Sequence, residues 1–145
     1  MPSASPRSVF INCPFDNSYD PIFQALVFSV FNCGCVARSA LEESNAGEPR
    51  FEKIVRLIRD SEFGIHDISR TELDSKSKLP HFNMPLELGL FLGAMRFGGR
   101  IGRRKACLII DREAYRYQAF ISDIGGQDVQ AHADNVAEAI RVARN

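Results

Sequence analysis

The apolar positions of this chain fall into two kinds of cluster that take turns along its length. Val9–Cys13 (VFINC) and Ala106–Ile110 (ACLII) are short apolar runs without strict alternation, the pattern of strands covered on both faces. Cys35–Leu41 and Phe63–Ser69 (FGIHDIS) read as two further strands. Between these runs the spacing changes to that of helices. Ile22, Phe23, Leu26, Val27, Val30 and Phe31 recur at helical intervals over Pro21–Phe31, with Asp20 placed to cap, Pro21 at the first helical position and Gly34 as the stop. Arg50–Asp60 sets Phe51, Ile54, Val55 and Ile58 against Arg56, Arg59 and Asp60 on the other side. Phe82–Phe97 is apolar nearly all round, which predicts a largely buried helix, with Asn83 able to cap it and Pro85 in its first turn. Tyr115–Ile121 is a shorter helical candidate, Gly125 and Gly126 mark a turn, and Asp134–Arg144 is a last amphipathic helix. The polar stretches Glu42–Pro49 and Arg70–His81 read as exposed connections.

Strand and helix thus alternate four times. The pattern predicts an α/β fold with a short, mostly parallel sheet of four to five strands, right-handed crossovers and helices on both faces. The length of 145 residues suits a single domain spanning 1–145, with the Ser/Pro-rich residues 1–7 as a flexible lead. That lead has no apolar centre of the secretory kind, and no window reaches the ~18 apolar residues of a membrane span. Eighteen basic and eighteen acidic side chains cancel, so nothing electrostatic calls for a nucleic acid partner. Arg100, Arg103, Arg104 and Lys105 form a glycine-spaced cluster that reads as a solvated loop before a strand. Cys13, Cys33, Cys35 and Cys107 lie in or beside apolar runs without zinc-site spacing, as small buried hydrophobes of a reducing compartment would. A cytoplasmic protein with neither membrane nor nucleic acid as partner is expected.

In parallel α/β sheets ligands bind outside the carboxyl ends of the strands, where the strand order reverses. This rule picks out Asn12–Asp16, Asp67–Arg70 and Asn83–Glu87. Glu87, within MPLELGLFLGA, is the most informative residue, because a carboxylate in the first turn of an apolar helix needs a partner or a task. Two readings stand side by side. Glu87 serves the positive end of the helix dipole or caps Asn83 or Met84. Alternatively it points into a cleft and acts as a nucleophile, or stabilises an oxocarbenium-like centre while a sugar-to-base bond breaks. Asp67 ends its strand where catalytic groups tend to lie, with Ser69 and Arg70 after it able to hold a phosphate or ribose. Asp16 and Tyr19 follow the first strand and face the same region, Asp16 being equally suited to an Asx turn. Arg38 is open to either role. His66, one residue before Asp67, points to the other face and reads as structural. Cys13 has no charged neighbour to activate it and reads as packing.

Several of these segments resemble known families. VFINCPFD is similar to the opening strand and Pro-Phe turn of the nucleoside 2-deoxyribosyltransferases, and NMPLELGLFLGAM resembles the helix whose glutamate is their nucleophile. IHDIS resembles the intervening strand, whose aspartate contacts the base or positions the glutamate. Together with YRYQAFISDIGGQD, these segments also look like bacterial Toll/interleukin-1 receptor (TIR)-like nucleotide-binding proteins. The resemblance implies a flavodoxin-like (Rossmann-like) three-layer sandwich, with Glu87 and Asp67 catalytic. It further implies that Asn12, Pro14, Phe15, Asp16, Tyr19, Arg38, Ser69, Arg70 and Asn83 surround NAD or a related nucleotide. The nucleotide is substrate or ligand, so neither cofactor nor metal is expected, and relatives of this kind assemble as homo-oligomers. The chain departs from the transferases in carrying Asn83, Met84 and Pro85 where they place a glycine and a small hydroxyl residue. A non-catalytic nucleotide-sensing or self-assembly module is the alternative.

Overall fold

The computed structural model describes residues 6–42 and 46–145, so residues 1–5 of the expected lead and 43–45 of the second connection lie outside the described residues. Among the described residues there are five strands: β1 (Ser8–Asn12), β2 (Val36–Ser39), β3 (Phe63–Asp67), β4 (Ala106–Asp111) and β5 (Val129–Ala131). They form one sheet in the order β2-β1-β3-β4-β5, and every pairing is parallel. This is the doubly wound, flavodoxin-like order, whose reversal falls between β1 and β3. The helices are α1 (Asp20–Asn32), α2 (Arg50–Asp60), α3 (Asn83–Phe97), the single turn α4 (Gly99–Gly102) and α5 (Val136–Arg144). No helix among the described residues is long and apolar enough to cross a membrane.

Period-two alternation in the strands sorts the core into layers. Val9, Ile11, Ile65 and Ile110 face α1 and α5, where Ile22, Leu26, Val30, Ala139 and Val142 meet them. Phe10 turns the other way, to Ile54, Leu57 and Ile58 of α2 and Phe91 of α3. Each valine, leucine and isoleucine among these contributes about 1.5–3 kcal/mol by leaving water. Gly64 on β3 lets α3 approach, since a Cβ there would come within 2.7 Å of the His66 ring and 2.9 Å of Phe91. A third cluster of Ile68, Leu88, Ile109 and Tyr117 seals the β4 side beneath the start of α3.

Several sequence-based expectations are corrected. Asp20 is the first residue of α1 rather than its cap, and no side chain caps either α1 or α3. β5 was not legible, having only three half-buried residues. Tyr115–Ile121 is not one helix but holds a short 3₁₀ turn at Arg116–Ala119, followed by another at Ser122–Ile124. The loop expected at Arg100 contains α4. Of the four cysteines only Cys13 is buried, and Cys33 is exposed. The largest difference concerns α3: only Glu87, Leu88 and Phe91 are buried, and its outer side is open.

Candidate functional site

The end of β1 is held by one amide. Asn12 Nδ2 donates to His66 Nδ1 at 2.9 Å and to the Met84 carbonyl at 2.9 Å, so this side chain ties β1, β3 and the first turn of α3 together. Both amide hydrogens are spent inward, which leaves its Oδ1 as the free polar atom on the cleft that Asn12 lines. Because His66 Nδ1 accepts, its proton sits on Nε2, and burial against Phe10 and Phe91 pushes its pKa down to about 3. His66 is therefore a neutral core histidine, as its position in the strand suggested.

The cleft itself opens at the carboxyl edge of β1 and β3, where the strand order reverses, and has a volume of about 640 Å³. Asn12, Cys13, Pro14, Phe15 and Asp16 form one side. Arg70, Glu72, Leu73 and Asp74 form another, and Asn83, Met84 and Glu87 close it from α3. Asp16 Oδ1 accepts from Ser18 Oγ at 2.6 Å and from the Tyr19 amide at 3.0 Å, making the Asx turn, and also from Arg70 Nη2 at 2.9 Å. Both readings of Asp16 therefore meet in one residue: it folds the loop and anchors an arginine at the cleft. The Asp74 carboxylate accepts the Lys76 and Ser77 amides, and Leu73 bridges to Pro80, which folds the outer wall.

Glu87 lies at the foot of this space, 8 % exposed. Among the described residues it has neither a hydrogen bond nor an ion pair, so neither Asn83 nor Met84 is capped by it. Burial pushes its pKa up to about 7, with the Arg50 guanidinium pulling the other way. Arg50, the first residue of α2, lines the cleft and is unpaired among the described residues. Sequence reasoning assigned it only to an amphipathic helix; its place just after the β2 connection, at the carboxyl edge of the sheet, was the available signal.

Asp67 is placed quite differently. It is fully buried and does not line the cleft. Its Oδ2 accepts from Tyr19 Oη and from His132 Nε2 at 2.9 Å, and its Oδ1 accepts from the Ser69 hydroxyl and from the Ser69 amide at 2.7 Å. Tyr19 and Ser69 are therefore turned inward to Asp67, and burial with the Asp67 charge drives the tyrosine pKa far upward. His132 escaped sequence reasoning because the strand before it, β5, was not recognised. Nearby, Arg116 binds Asp111 Oδ1 at 2.6 Å, the carbonyls of Ile68 and Ser69, and Thr71 Oγ1, which pins the segment after β3. Arg38 lies outside the cleft, paired with Glu42 at 2.7 Å. Cys13 is buried beneath the cleft, with its thiol driven upward by burial and by Asp67, Glu87 and Asp16.

The structure thus brings Asn12, Pro14, Phe15, Asp16, Arg70, Asn83 and Glu87 around one space, and keeps Tyr19, Asp67, Ser69 and Arg38 off its surface. A second hollow of about 660 Å³ opens at the opposite sheet edge among Val9, Val30, Phe63, Leu108 and Val142, with Asp128, Gln130 and Asn145 also lining it but no arginine, lysine or histidine. Chemically, the cleft offers one poorly solvated carboxylate, suited to meeting a cationic carbon, and two arginines suited to anionic groups. In comparison with known proteins, no family model matches the chain and no curated protein matches it.

Proposed function

We propose that this protein cleaves the N-glycosidic bond of NAD or a related nucleotide in the cytoplasm, as a member of the TIR-like and deoxyribosyltransferase-like group that its motifs resemble. One observation carries the reading: the Glu87 carboxylate, without a partner among the described residues and nearly desolvated, lies at the foot of the cleft at the strand-order reversal. A carboxylate stripped of water attracts positive charge more strongly than a solvated one. The developing oxocarbenium carbon carries that charge, and a nicotinamide ring carries it already in the ground state. As the C1′–N bond breaks, its electron pair neutralises the ring nitrogen and nicotinamide leaves uncharged. Glu87 shields C1′ or bonds to it as an ester; water then forms the new C–O bond at C1′, displacing the carboxylate in the second case, and gives up one proton to solvent. Asn12 Oδ1 is an acceptor for a ribose hydroxyl, and Arg50 and Arg70 are donors for phosphate oxygens. Asp67 acts in this scheme through the loop it holds, as a positioning residue.

Purified protein incubated with NAD, and separately with deoxynucleosides, is expected to release free base measurable by chromatography. Equal release by wild type and Glu87→Gln would end the proposal. The rival, a nucleotide-sensing module, is favoured by the commitment of Asp67 to internal donors, which leaves Glu87 as the deep carboxylate of the cleft. Calorimetric binding of intact nucleotide with no base released would select it.

A further inference from the structure

Charge balances over the whole chain but not along it. From Leu88 to Ile110 there is no aspartate or glutamate, while Arg96, Arg100, Arg103, Arg104 and Lys105 fall within ten residues. That stretch carries a charge of +5, and the rest of the chain, which cancels it, carries −5.

The structure gathers these residues at one corner. α3 ends at Phe97, and the chain turns through Gly98 and Gly99 into α4. Gly99 takes a left-handed φ of +62°, and a Cβ on Gly98 or Gly102 would lie 2.3 Å or 2.2 Å from the Ala94 carbonyl, so α4 is pressed against the last turn of α3. Lys105 is buried, its Nζ donating to the Ile58, Arg59 and Ser61 carbonyls at the end of α2. The four arginines are exposed, and none of them is paired among the described residues. Asp60 and Glu62, the acids whose charge reaches Lys105, are held by Arg59 and Arg7. Among the arginines stand Phe97, 87 % exposed, and Ile101, 71 % exposed.

We infer that this corner docks on an anionic lipid surface, Phe97 and Ile101 entering the headgroup layer while Arg96, Arg100, Arg103 and Arg104 pair with lipid phosphates and carboxylates. Exposure of single apolar side chains is ordinary; their place inside an uncompensated cationic cluster calls for a partner. A bilayer surface meets both halves of that demand, since the apolar groups leave water and the guanidinium groups stay among the headgroups. A nucleic acid would meet the charge, but the aliphatic Ile101 offers bases nothing to stack on, and a polyanion that wraps the molecule meets the −5 of the remaining chain. A flat surface touches the corner alone. α3 crosses from the carboxyl end of β3 to the amino end of β4, so the corner lies at the amino edge of the sheet and the cleft of Glu87 at the carboxyl edge. A chain docked this way keeps its cleft open to water, and the inference stands apart from the chemistry proposed for Glu87. The sequence expectation of no membrane partner rested on the lack of a spanning segment and on overall charge balance, and neither describes a surface that lies on a bilayer.

Co-sedimentation with vesicles tests the docking. The purified chain is expected to pellet with vesicles of phosphatidylserine and phosphatidylcholine in equal parts, to stay in solution with phosphatidylcholine alone, and to be released as salt is raised. Arg103→Gln/Arg104→Gln weakens binding about 30-fold, at about fivefold for each charge removed, and Phe97→Ser weakens it about tenfold. Circular dichroism and melting of these variants match wild type, since the side chains face water in the free chain. Equal pelleting with both kinds of vesicle, or with neither, overturns the inference. Binding that survives Arg103→Gln/Arg104→Gln overturns it as well. Binding that is indifferent to Phe97→Ser and is matched by equal retention on a single-stranded oligonucleotide overturns it in favour of a nucleic acid.

Discussion

Two acids lie near the same edge of the sheet, and the structure treats them in opposite ways. Asp67 receives four hydrogen bonds from Tyr19, His132 and Ser69 and is sealed from the cleft. Glu87 receives none from the described residues and borders open space. A buried carboxylate with donors on both oxygens is a fixed structural post, whereas one lacking them keeps its free energy cost until a ligand relieves it. The reactivity we propose for this cleft therefore rests on the less supported of the two groups.

The comparison can be broken at either end. Glu87→Gln is expected to lower turnover of a cleaved nucleotide about 1000-fold, measured as initial rates of base release. Asp67→Ala orphans the Tyr19, His132 and Ser69 donors and is expected to destabilise the fold by about 3–5 kcal/mol in urea titrations. Were the two variants to exchange phenotypes, the assignment of post and reactive group would be reversed. The Glu87 charge also acts on stability. Its folded pKa of about 7 lies above the ordinary 4.5, so the folded state holds that proton more tightly. Its contribution is complete below pH 4.5, is lost as pH rises to about 7, and is constant beyond. Glu87→Gln should then raise stability by about 2–3 kcal/mol at pH 8 and change nothing near pH 4. The same ionisation makes kcat/KM of wild type fall about tenfold per pH unit below 7, a limb that Arg50→Ala moves to higher pH. Smallest of all is Arg38→Ala, which removes a partly exposed pair with Glu42, costs about 0.5 kcal/mol or less, and leaves turnover unchanged.

The parallel sheet was legible because β1 and β4 are apolar on both faces and the intervening helices keep their periodicity. β5 was not, because an edge strand of three half-buried residues has too little pattern to separate from a turn. With it went His132, and so the reason Asp67 is turned inward. Glu87 was legible as an anomaly, a charge inside an apolar helix. Asp67, Tyr19 and Ser69 were correctly placed at one edge but misjudged in direction, since chain position gives the strand end and not the hydrogen bonds that pull a side chain under it. The exposure of α3 was unreadable for a different reason: an apolar pattern states that a face is to be covered, and does not name what covers it.

The amide of Asn12 reaches across 72 residues of sequence to the Met84 carbonyl. Closing so distant a junction carries a loop-entropy cost that the local turns and helices do not repay by themselves. Before that closure the Glu87 side chain is hydrated and titrates like any glutamate in solution. The abnormal acidity is thus acquired only when the first and third strands and the third crossover have all docked, and its pH signature doubles as a readout of whether a given molecule has finished folding.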